Sequence, residues 1–85
     1  MVCEFLTTQD KRKLMKMASL KELVKAGYKN EISAYSARNL GIISDEKCEK
    51  LIQILGTRAV PIIEQALQEF TKQVNEFKQK IAQTP

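Results

Sequence analysis

The chain has 85 residues, of which 44% are hydrophobic and 28% charged, with a net charge of +4. That suffices for one domain around one core. Three glycines and two prolines are too few for a β-sandwich or barrel, so an all-α domain is expected.

Absent residue types exclude most chemistry. With no histidine, serine–histidine and cysteine–histidine catalysis is ruled out, as is any histidine-containing zinc site. Cys3 and Cys48 alone make no metal ligand set, and the three glycines are isolated, so there is no phosphate-cradling loop. Asp45 and Glu46 are adjacent carboxylates, but a helix start explains them through its dipole. The expectation is a non-enzyme with no catalytic residue, metal, cofactor or small-molecule substrate, acting by binding.

No apolar run approaches bilayer length; Ala59-Val60-Pro61-Ile62-Ile63 is the longest and holds a proline. Met1–Leu6 lacks the pattern of a signal peptide. A cytoplasmic protein is therefore expected, with Cys3 and Cys48 as reduced thiols and Cys48 a small core residue.

In chain order, the first helix is predicted from about Thr8 to Ala18, capped by Thr7 or Thr8, with Leu14, Met17 and Ala18 on its inner face. Ser19-Leu20-Lys21-Glu22 matches a capping box and starts a second helix over Leu20–Ala26. One unbroken helix through Ser19 is the competing reading. Gly27 ends the stretch either way. Asn30 caps a third helix from Glu31 to about Asn39, with Leu40-Gly41 as its exit and Ile42-Ile43 as a short, buried link. Ser44 caps a fourth, in which Cys48, Leu51, Ile52 and Leu55 form one apolar stripe at i, i+3, i+4 and i+7.

The last helix begins near Thr57 or Pro61, since proline is comfortable at a first helical position. Ile63, Leu67, Phe70, Val74, Phe77 and Ile81 then recur with a heptad spacing. Gln83-Thr84-Pro85 is expected to fray. The whole reads as a single helical domain over 1–85, with a core at 19–56 and a C-terminal packing or dimerisation helix at 57–83.

The basic excess sits in the first third. Residues 1–30 hold seven basic and three acidic side chains, against three and four in 31–56 and four and three in 57–85. Lys11, Arg12, Lys13, Lys16, Lys21, Lys25 and Lys29 suit a polyanion or an acidic protein surface; the plain alternative is a solvated lysine-rich face. On a helical wheel, Ile32, Tyr35 and Asn39 share one side of the third helix and are assigned to the core. Asn30, Ser33, Ala34, Ala37 and Arg38 share the other, small enough to sit in a DNA major groove and carrying groups that read base edges. In the alternative, Ala34 and Ala37 pack against another helix.

Three segments carry a family resemblance: Lys21-Glu22-Leu23 … Gly27, Ile32-Ser33-Ala34-Tyr35, and Ser44-Asp45-Glu46-Lys47 … Leu51 … Leu55-Gly56. Over residues 19–56 they resemble the lambda-repressor-like helix-turn-helix DNA-binding proteins, with a shorter stretch between Lys21 and Ile32. The resemblance implies that the third helix enters the major groove and that Asn30, Ser33, Ala34, Ala37 and Arg38 face the bases. Lys11, Arg12, Lys13, Lys16, Lys21, Lys25 and Lys29 would contact phosphates. Phe70, Val74, Phe77 and Ile81 are the candidate dimerisation residues, against a purely intramolecular role. The expected function is a small homodimeric DNA-binding protein, a transcriptional regulator or accessory factor. The alternative is a helical protein-interaction module or inhibitor that docks an acidic partner without nucleic acid.

Overall fold

The structure is a computed structural model that describes residues 2–82. Met1 and the expected frayed residues Gln83-Thr84-Pro85 lie outside the described residues. Among these it contains five α-helices and no strand: α1 (Thr8–Met17), α2 (Leu20–Ala26), α3 (Glu31–Leu40), α4 (Asp45–Leu55) and α5 (Val60–Ala82). Short 3-10 turns precede α1 (Val2–Phe5) and join α4 to α5 (Gly56–Ala59). The all-α reading is therefore right, and among the described residues no helix is long and apolar enough to cross a membrane.

Local chemistry explains most of the boundaries. The Thr7 hydroxyl accepts from the Asp10 N–H at 3.2 Å, and Asp10 accepts from the Thr7 N–H at 3.1 Å. This reciprocal box makes Asp10 a well-satisfied buried carboxylate, only 7% exposed. Ser19 and Glu22 repeat the arrangement at 3.1 and 3.0 Å, and Ala18 and Ser19 are both extended. Residues 8–26 are consequently two helices. Asn30 and Ser44 cap α3 and α4 by accepting from Ser33 N–H and Lys47 N–H. Gly41 ends α3 at φ 71°, where a Cβ would also run into the Arg12 side chain.

The core is assembled from Leu14 and Met15 of α1, Leu23 and Ala26 of α2, Ala34 of α3, and Cys48, Leu51 and Leu55 of α4. The α4 stripe packs as its spacing requires. On α1 the inner set is corrected: Met15 is buried and Met17 is 40% exposed, so the face turns by one position. In the 42–43 link, Ile43 is buried but Ile42 is 68% exposed.

The larger correction concerns the cysteines. Cys3 and Cys48, expected as separate thiols, form a disulfide across 45 residues. The first 3-10 turn lays Cys3 over the inward face of α4, and its N–H donates to Glu49 Oε1 at 2.7 Å, holding the turn there. Both cysteines are excluded from solvent. Closing a loop of this length stabilises the fold by about 4 kcal/mol on a chain-entropy argument.

Helix α5 begins against the body and then leaves it. Ala59 and Ala66 are buried, Ile62 and Ile63 pack partly on the core, and Phe70 meets Phe5 edge-on with ring centroids 5.1 Å apart. Beyond Phe70 the cover thins: Val74 is still half-buried, but the last two stripe residues are open to solvent. Phe77 is 63% and Ile81 57% exposed.

Candidate binding face on the third helix

The turn from α2 to α3 covers only residues 27–30, closed by Gly27 at one end and the Asn30 cap at the other. It directs α3 against α2, and Ala34 enters the core beside Leu23 and Ala26. Small side chains allow this approach, because no bulky group separates the helix backbones. The consequence is that α3 is turned over relative to the wheel assignment.

Each residue expected on the outer, base-facing side now has a different position. Ala34 is completely buried and Ala37 packs against the core. Ser33 is half-buried, its N–H held by the Asn30 cap at 2.8 Å, while Asn30 itself is exposed at the helix start. Arg38 is half-buried, reaches the Ala18 carbonyl at 3.5 Å and lies 5.8 Å from the centre of the Tyr35 ring. The five do not form an outward surface. The assignment of Ile32, Tyr35 and Asn39 to the core is corrected in the same way: all three are exposed.

What faces outward is apolar. Ile32 is 78%, Ile42 68%, Leu40 64% and Tyr35 52% exposed, four large side chains within residues 32–42. Ser36 and Asn39 are the exposed polar members of the helix between them. The sequence signal for this face was the pairing of small residues at 34 and 37, which admits a close helix–helix contact on that side. The wheel shows two faces, and volume alone had favoured the larger residues for the interior.

Behind this face the exit of α3 is braced. The Tyr28 hydroxyl donates to the Ile42 carbonyl at 3.3 Å, and Lys47 Nζ stands 5.3 Å from the Tyr28 ring centre. Partial burial raises the Tyr28 phenol above its ordinary range, so it stays a donor. Lys47 also lies along Gly27, tying α4 to the α2–α3 turn.

The basic residues of the first third divide. Lys11 pairs with Asp45 at 2.8 Å, and the Arg12 side chain lies against Gly41. Lys13, Lys16, Lys21, Lys25 and Lys29 are solvent-exposed. Among the dimerisation candidates, Phe70 is partly occupied by Phe5, Val74 is half-buried, and Phe77 and Ile81 project freely. Compared with known protein families, curated proteins and solved structures, the chain matches none.

Proposed function

We propose that the chain is a helical protein-interaction module whose α3 face takes an apolar segment of an acidic partner. The observation that carries this reading is the outward placement of Ile32, Tyr35 and Leu40 on a helix whose own inner face is already filled by Ala34 and Ala37, with Ile42 exposed just past its end. Clustered exposed apolar side chains mark interaction surfaces, because leaving them in water forgoes their transfer free energy. The partner's charge follows from the exposed Lys21, Lys25 and Lys29 of the adjoining helix and turn, which would steer an acidic surface towards α3.

Duplex DNA remains a second reading, favoured by the α2–turn–α3 arrangement beside those same exposed lysines. In that case Tyr35, Ser36 and Asn39 would face the groove. A regulator of this kind would act as a homodimer joined through α5, which would present two copies of the α3 face. The compartment follows the cystine: a buried disulfide is at home in oxidising surroundings, which counts against a cytoplasmic site of action.

A single experiment separates the readings. Titration of a fluorescent random duplex at about 50 mM salt favours phosphate contacts. The protein-module reading expects no saturable complex there, together with capture of an acidic amphipathic peptide that Ile32→Asp abolishes. Duplex binding that survives Ile32→Asp and is lost in a Lys21, Lys25 and Lys29 charge-removal variant overturns it in favour of DNA.

A further inference from the structure

We propose that the free stripe of α5 is an antiparallel coiled-coil seam for a second copy of this chain, in one register. The proposal rests on a homodimer through α5, which either reading of the α3 face allows, and adds its direction and alignment. In heptad terms, Ile63, Phe70 and Phe77 occupy one core position and Leu67, Val74 and Ile81 the other; Glu64, Thr71 and Lys78 flank the seam on one side, and Ala66, Gln73 and Lys80 on the opposite side. The body covers the stripe incompletely, since Leu67 is still 44% and Phe70 42% exposed, and Phe77 and Ile81 are more exposed still. A 23-residue helix is about 35 Å long, and the part that carries Phe77 and Ile81 extends past the Phe5–Phe70 contact.

The sequence of α5 is complementary to itself when reversed. Aligning two copies head to tail brings Leu67 against Phe77 of the second copy, Phe70 against its Val74, and Ile63 against its Ile81, so every layer is apolar on both sides. The same alignment sets Glu64 opposite Lys78 of the second copy, twice by symmetry, and leaves Thr71 and Gln73 facing their own counterparts near the axis. No like-charged pair is created. Neither Glu64 nor Lys78 has an ion-pair partner among the described residues, so both are available. A parallel pairing instead matches Ala66 with Thr71 and Gln73 with Lys78, which gives no ion pair at all. Charge complementarity thus selects the antiparallel form, with the two bodies at opposite ends of the seam.

Sedimentation equilibrium of the oxidised full chain tests this with charge reversals at exposed sites that carry no part of the core. Wild type is expected to dimerise, and Glu64→Lys and Lys78→Glu are each expected to weaken the dimer about tenfold, since each turns two attractions into repulsions. The double variant E64K/K78E is expected to return to near wild-type affinity, and the single-variant losses to shrink at high salt. A monomer at high micromolar concentration removes the homodimer itself, leaves the stripe to a different partner and overturns the proposal. A dimer that Phe77→Ala disrupts but the charge variants do not, or that the double variant fails to rescue, keeps the homodimer and overturns the register.

Discussion

Within the body, Leu14, Met15, Leu23, Cys48 and Leu51 are all shut away from solvent, whereas the 23 residues of α5 bury a single side chain completely, Ala66. Both regions are patterned with the same helical periodicity. They differ in what the pattern finds. In the body the apolar stripes of α1, α2 and α4 meet other helices within a few residues of a tight, capped turn. In α5 the stripe runs past the last helix that could receive it. Periodicity therefore states that a face is to be buried and is silent on whether its own chain, or another molecule, does the burying.

The contrast can be broken most strongly at the cystine. Reduction, or Cys3→Ser, is expected to cost about 4 kcal/mol in denaturant unfolding. It should also release the first turn, and with it the Phe5 contact that seats the beginning of α5. An unchanged midpoint would mean that the turn contributes nothing to holding the body together. Next, Leu51→Ala in the middle of the α4 stripe is expected to lose about 3 kcal/mol. Phe77→Ala, measured at concentrations where the chain is monomeric, should stay within about 0.5 kcal/mol of wild type. Similar losses from the two would show that α5 packs on its own body after all.

The smallest effect sharpens the comparison at the junction between α2 and the turn leading to α5. Glu22 pairs with Arg58 and accepts from the Ser19 N–H, and these contacts hold its carboxyl below the ordinary value of 4.5. A lowered folded-state value means that the contribution is complete above the unfolded value and fades as pH falls through the folded one. Thermal melts between pH 7 and pH 3 are expected to show a slightly shallower acid decline for Glu22→Gln. Glutamine keeps the capping hydrogen bond but cannot lose a charge. An identical decline would mean that water screens the Arg58 pair entirely.

Much of the architecture could be read before any tertiary contact was known, because the signals are local. Thr7, Ser19, Asn30 and Ser44 compete for backbone N–H groups within three residues of themselves, and Gly27, Gly41 and Gly56 adopt positive φ where helices stop. The α4 stripe was also legible, since its opposite face is charged and only one orientation buries apolar surface. These features gave the all-α class, the element order and the long final helix with its unmatched stripe.

Two decisions belonged to the tertiary structure. On α3 one face is large and apolar and the other small, so neither is excluded from the interior by charge. The four-residue turn after α2 then presses the small face inward, because Ala34 permits a close approach that Ile32 and Tyr35 would prevent. The pairing of Cys3 with Cys48 was likewise invisible, since a separation of 45 residues says nothing about distance in space. It is settled by where the first turn lands on α4. Local hydrogen bonding writes helix ends into the chain, while the choice between two buriable faces depends on the shape of whatever helix arrives beside them.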